Sequence, residues 1–145
     1  MWYTNKVLFV HAPRTGGDWL TRWACSNLPA VSVDLHWLKH LTRAELLARI
    51  PELAGLVAFT IFRDEAERVA SFVRHCRGFT PTDPPSHTHQ WADLVAASLT
   101  LPEPEFVARY VVPGTAYRGD DVREFVFATD LPGCVAWLMA VHGLS

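Results

Sequence analysis

Lysine is almost missing from this sequence: of 13 basic residues only Lys6 and Lys39 are lysines. Charge of either sign is sparse, at 19% of residues with a formal net charge of −2. That balance argues against the basic face of a nucleic-acid or membrane-surface protein. Cysteine is limited to Cys25, Cys76 and Cys134, with no C-x-x-C pair. Neither a disulfide framework nor a zinc knuckle is indicated, and all three read as buried thiols. Long apolar runs are absent too. The longest, Leu53 to Phe62, is about half the ~20 residues a spanning helix needs. Near the N-terminus the apolar stretch is only Val7 to Val10, against about 7–15 residues for a secretory segment. The sequence therefore reads as a soluble, cytoplasmic protein with no membrane or nucleic-acid partner. No internal repeat occurs, and neither G-x-x-x-x-G-K-[ST] nor G-x-G-x-x-G is present.

What is there is core. Half of the 145 residues are apolar and 12% are aromatic, enough for one folded domain and too many for a disordered chain. Val7–Val10 reads as a buried strand, and Asp18–Asn27 as a helix stopped by Pro29. Ala30–Leu35 alternates like a second strand. Thr42-Arg-Ala-Glu45 has the form of a capping box before a helix that ends ahead of Pro51. Leu56–Phe62 is the clearest buried strand, and Asp64 opens a helix through about Arg77. A proline-rich loop, Gly78–His87, leads to helices at Gln90–Leu99 and Glu103–Val111. Phe125–Phe127 is a last strand, and Asp130 caps a final helix through His142, closed by Gly143. Strands alternating with helices predict an α/β layer with a largely parallel sheet.

In such sheets ligands bind beyond the carboxyl ends of strands, at helix N-termini. Two junctions carry unusual residues there. In His11-Ala-Pro-Arg-Thr-Gly-Gly-Asp-Trp19 the glycines let backbone N–H groups converge on an anion, with Arg14 and Thr15 as donors and His11 orienting the loop. A plain strand-to-helix turn is the alternative. In Phe62-Arg-Asp-Glu-Ala-Glu-Arg-Val-Ala-Ser71, Arg63 emerges from the buried strand and Ser71 follows about two helical turns later. The alternative is a capped amphipathic helix with Glu67 and Arg68 in solvent.

Together these junctions resemble the cytosolic and carbohydrate sulfotransferase superfamily, which uses 3′-phosphoadenosine 5′-phosphosulfate (PAPS). The first is similar to that family's P-K-[ST]-G-[GT]-T-[SW] loop. The second is similar to its R-D-P-x-E-R-x-x-S-x-[YF] element, with Arg63 and Ser71 at the family's spacing. His89-Gln-Trp-Ala-Asp-Leu-Val and Glu124-Phe-Val-Phe-Ala-Thr-Asp-Leu131, the latter followed by a helix ending Val141-His-Gly-Leu144, resemble later segments in the right order. The resemblance implies a single P-loop-like, three-layer α/β domain over residues 1–145, with a mainly parallel central sheet flanked by helices. It implies sulfuryl transfer to a hydroxyl or amine of a small-molecule or carbohydrate acceptor, without a metal. Arg14, Thr15, Gly16, Gly17, Asp18 and Trp19 would hold the 5′-phosphosulfate, and Arg63 and Ser71 the 3′-phosphate.

The chain departs from the family at two loop positions. Arg14 stands where the family has lysine; it keeps the charge but donates no proton at neutral pH. Asp18 stands where the family has Thr or Ser. A carboxylate facing a phosphate costs about 4 kcal/mol at 4 Å for an effective dielectric near 20; turned aside, Asp18 would instead complement the helix dipole by ~0.5–1 kcal/mol. His36 is the proposed catalytic base, with Asp34 and His40 as alternates, and a structural histidine is the competing reading. The pairs His36/His40 and His87/His89 lack further ligands at metal-site spacing. The six tryptophans read mostly as core, with one of them as a candidate to stack on adenine. Two rival functions stand beside transfer: a catalytically degenerate protein that binds a phosphorylated nucleotide or a protein partner without turnover, and a small kinase. The acceptor and the oligomeric state are open.

Overall fold

A computed structural model describes residues 1–34, 38–79 and 89–144. The described residues form a five-stranded sheet and six α-helices, and they divide into two compact units, 1–63 with 114–145, and 64–113.

The first unit is built on the sheet. Its strands are β1 (Trp2–Tyr3), β2 (Val7–Phe9), β3 (Ser32–Val33), β4 (Val57–Phe62) and β5 (Val122–Val126), in the order β3-β1-β2-β4-β5. The pairs β2·β4 and β4·β5 are parallel, whereas β1 runs antiparallel to both β2 and β3. The sheet is therefore mixed, which corrects the expectation of a mainly parallel one. The cause lies in the first ten residues. Thr4 Oγ1 accepts from the Lys6 and Val7 amides, both at 3.2 Å, and Thr4 N–H donates to the Val7 carbonyl at 2.9 Å. This turn folds Trp2–Tyr3 back on Phe9 and Leu8 as a hairpin. A two-residue strand has no periodicity to read, so it went unanticipated.

Alternation along the central strands sorts the side chains to two faces. Val7, Phe9, Phe59 and Ile61 pack with α1 (Gly17–Asn27) and α6 (Leu131–His142). Leu8, Val10 and Ala58 pack with α2 (Arg43–Arg49), the 3₁₀ turn Pro51–Gly55, and Tyr117 of the 3₁₀ turn Gly114–Tyr117. The strand expected over Ala30–Leu35 shrinks to Ser32–Val33, because Ala30 takes a left-handed φ of 50° and turns the chain. Leu35 itself lies outside the described residues.

Local signals hold at several ends. The Thr42–Glu45 capping box forms, with the Thr42 amide donating to Glu45 Oε2 at 2.8 Å and the Glu45 amide to Thr42 Oγ1 at 3.3 Å. Thr42→Ala is expected to cost about 1 kcal/mol, read from the urea midpoint. Gly143, at φ 70°, closes α6. Asp130, by contrast, makes no side-chain cap; its Oδ2 accepts from the Val126 amide at 3.1 Å.

The second unit consists of α3 (Glu65–Arg77), α4 (His89–Thr100) and α5 (Glu103–Tyr110) around Val73, Cys76 and Phe106. Asp64 Oδ1 caps α3 by accepting from the Glu67 amide at 3.0 Å. Arg68 is not in solvent: it is 1% exposed. Its guanidinium donates twice to Glu65, at 2.7 Å each, and to the Val112 carbonyl at 2.8 Å. Cys76 and Cys134 are buried as expected, whereas Cys25 is exposed on α1. Trp2 is core, and Trp19 is 48% exposed. No helix among the described residues is long and apolar enough to cross a membrane.

Candidate functional site

The loop between β2 and α1 is anchored by the strand beside it. The Val10 amide donates to the Phe59 carbonyl at 2.9 Å, and Thr60 Oγ1 donates to the Val10 carbonyl at 2.8 Å. Beyond this anchor the backbone bends sharply. Arg14 has φ 65° and Gly16 φ 83°, and for the arginine that conformation costs on the order of 1 kcal/mol. Gly16 is the N-cap of α1 and offers no side chain, so the leading N–H groups of the helix are closed off by no capping residue. Thr15 is buried, and its hydroxyl donates inward to the Ala12 carbonyl at 2.8 Å. That proton is spent on the loop itself.

Both glycines are required by what lies against them. A Cβ on Gly16 would overlap the Phe127 ring, and one on Gly17 would overlap the His11 ring. Phe127 follows β5, with its amide donating to the Phe62 carbonyl at 2.8 Å. The guanidinium of Arg63, the next residue after Phe62, lies 5.8 Å from the centre of the same Phe127 ring. One aromatic ring thus touches both junctions that the sequence singled out. Phe127 carried no separate signal in the sequence, where it read as the end of a strand. Ser71 lies on α3, in the second unit.

An ion pair reaches the loop helix from far along the chain. Lys39 Nζ is 2.8 Å from Asp18 Oδ1, with the Asp18 side chain 60% exposed. Partial burial works to raise the Asp18 pKa; the Lys39 ammonium overrides it, helped by His40 and Arg14, and holds the carboxyl below its usual range. The turn carrying Lys39 is itself fixed. The Leu38 amide donates to Asp34 Oδ1 at 3.0 Å, the Met1 nitrogen to the Lys39 carbonyl at 3.0 Å, and Tyr117 Oη to the His40 carbonyl at 3.0 Å. Sequence spacing had no means of bringing Lys39 to the loop; the signal was only that lysine is so scarce.

His11 is buried beneath Gly17, and its Nδ1 has no hydrogen-bond partner. The His40 ring lies 4.7 Å from it, and His40 Nδ1 donates to the His11 carbonyl at 3.1 Å. Burial, then the neighbouring His40 and Lys39, push the His11 pKa well below 6.5. Crowding lowers that of His40 as well, with Lys39 adding to it and the bond to His11 opposing. His40 is nonetheless an exposed residue. Both rings are neutral at pH 7.

Of the expected base residues, His36 lies outside the described residues, as does His87. Asp34 is engaged with its own turn. His40 sits at the loop. Trp19, in the first turn of α1, presents its indole to solvent. Among the described residues no cluster of three or more His, Cys, Asp or Glu has the spacing to hold a metal ion. No protein-family model, curated protein or solved structure matches the chain.

Proposed function

We propose that this chain binds PAPS and transfers its sulfuryl group to a hydroxyl or amine of a small-molecule or carbohydrate acceptor, on a P-loop-like domain. The observation that carries the reading is the Phe127 ring, which touches Gly16 and underlies Arg63. A glycine turn at a helix N-terminus and a guanidinium from the adjacent strand then stand about one aromatic ring apart. That spacing suits a ligand with two anionic groups.

In this reading Arg14 and the N–H groups of residues 15–19 take the 5′ group, and Arg63 with Ser71 the 3′-phosphate. Lys39 answers the difficulty at Asp18. Its ammonium neutralises the carboxylate that would otherwise repel the ligand, so the site stays net positive with Arg14 and Arg63. PAPS supplies an activated sulfur. The bond from that sulfur to the phosphate oxygen breaks while a bond to the acceptor forms, and the acceptor's proton passes to a neutral imidazole. His36 is that base in the sequence reading. His40, whose Nδ1 is committed to the His11 carbonyl, has Nε2 as its basic atom and is the alternate. Catalysis would be positioning and charge stabilisation, with no metal needed.

A second reading, nucleotide binding without turnover, is favoured by two facts. The Thr15 hydroxyl is spent on Ala12, and the loop cation is an arginine that gives up no proton. The small-kinase alternative is disfavoured by the missing Gly-Lys-Ser/Thr.

Titration with 3′-phosphoadenosine 5′-phosphate by calorimetry tests the reading. Micromolar binding is expected, weakened about 10–100-fold by Arg63→Ala, the worth of one charged hydrogen bond. Lys39→Met should weaken it at least about tenfold by uncovering Asp18, and adding Asp18→Asn should restore it. No binding by the unsubstituted protein sinks the proposal. Binding without sulfuryl release from PAPS, across a panel of acceptors, selects the second reading.

A further inference from the structure

His11 occupies a position in which a charge has nowhere to go. Its ring stacks on Phe9 at 5.3 Å, tilts against His40 at 4.7 Å, and fits so closely under Gly17 that no Cβ would pass. The residue is 3% exposed. A neutral ring tolerates this, because an unpartnered Nδ1 can remain a bare lone pair. A protonated ring has N–H groups at both nitrogens, and the one at Nδ1 would be buried without an acceptor.

The titratable and charged groups facing the pair offer a proton no partner. From the turn 38–40 come His40 and Lys39, and the Met1 nitrogen is bound to the Lys39 carbonyl. Asp18, whose carboxylate acts on His40, is already paired with Lys39 and also faces Arg14. Asp34 is engaged with Leu38. No acid among the described residues is left to pair with a charged His11.

We propose that His11, held in place by His40, is a proton-operated latch on the start of α1. While both rings are neutral, the Gly16–Gly17 turn is held down on His11. When His11 takes a proton, its ring leaves the space beneath Gly17 and the first turn of α1 is released. The latch is a property of the loop, whatever the loop binds.

The sign follows from linkage. In the released state the imidazole titrates near its ordinary value of about 6.5, and in the latched state well below it. Below about pH 6.5 the released state holds more protons, so latching is fully present above that pH and fades as the pH falls. Each such imidazole lowers the latching constant up to about tenfold per pH unit.

Hydrogen exchange followed by NMR, from about pH 7.5 to about pH 5, reads this directly after correction for intrinsic exchange. The Trp19 and Leu20 amides, which donate to the Gly16 carbonyl, are the reporters; those of Phe59 and Ile61 in the sheet are the reference. The expected result is a loss of protection at Trp19 and Leu20 approaching about tenfold per pH unit below about 6, while the sheet amides hold. His11→Phe, which keeps the shape and cannot titrate, should abolish that dependence. His40→Asn, which keeps a donor for the His11 carbonyl, should leave most of it. Loop and sheet amides falling together, or a loop that shows no pH dependence, overturns the latch. So does an unchanged dependence in His11→Phe; if that variant does not fold, the comparison of loop and sheet in the unsubstituted protein decides alone.

Discussion

Gly16→Ala should destabilise the protein by roughly 2–4 kcal/mol, far more than a loop substitution at a surface usually does. Two costs add. Gly16 holds φ 83°, where any other L-residue pays about 1–2 kcal/mol. The added Cβ also collides with the Phe127 ring, and overpacking of that kind costs typically 1–3 kcal/mol. The two parts separate experimentally. Gly17 is not among the residues with positive φ, so Gly17→Ala carries only the collision, here with His11. Phe127→Leu combined with Gly16→Ala should recover the collision and leave the backbone cost. Urea unfolding of the three variants measures all of this. A Gly16→Ala loss under about 0.5 kcal/mol would mean that Phe127 does not rest on the loop. The two junctions would then share no aromatic ring.

Arg68→Ala should cost about 3–4 kcal/mol, lowering the melting temperature by roughly 10 °C. The guanidinium is buried while its partner Glu65 is half exposed, at 2% and 51% of side-chain surface. Removing the arginine therefore strands the Val112 carbonyl and opens a large void more than it strands a charge. Glu65→Gln should cost only about 1 kcal/mol for the same reason. Arg68→Leu, which refills space without restoring the bond to Val112, should fall between alanine and the native protein. Arg68→Lys should recover less than half, because an ammonium does not reproduce a fork that binds Glu65 twice and a carbonyl once. Thermal melts followed by far-ultraviolet circular dichroism rank the series. An alanine variant within about 1 kcal/mol of the native protein would show that this buried fork contributes little to stability.

Helix and strand placement were legible wherever the signal is local. The capping box at Thr42–Glu45, the Asp64 cap and Gly143 at the end of α6 each satisfy neighbouring backbone groups through residues a few positions away. The apolar run at β4 is buried because both faces of the sheet are covered, Phe59 and Ile61 on one side and Ala58 on the other. The alternative of a capped helix with Glu67 and Arg68 in solvent holds for Glu67 and fails for Arg68, which is buried. Charge at helical spacing marks a side of the helix, and nothing in it says which neighbour covers that side.

For the site, the sequence by itself determined the loop: two glycines, an arginine and an aspartate between a strand and a helix. It also determined that Arg63 leaves a buried strand. That β1 runs against its neighbours was decided by a three-residue turn whose hydrogen bonds depend on the strand it folds against. Lys39 at Asp18, Phe127 between Gly16 and Arg63, and His40 on His11 were decided by tertiary structure alone. Each of these contacts joins residues at least 21 positions apart in the sequence. Local propensity reaches a few residues along the chain, and only the packing of the sheet brings such distant positions within a few ångströms.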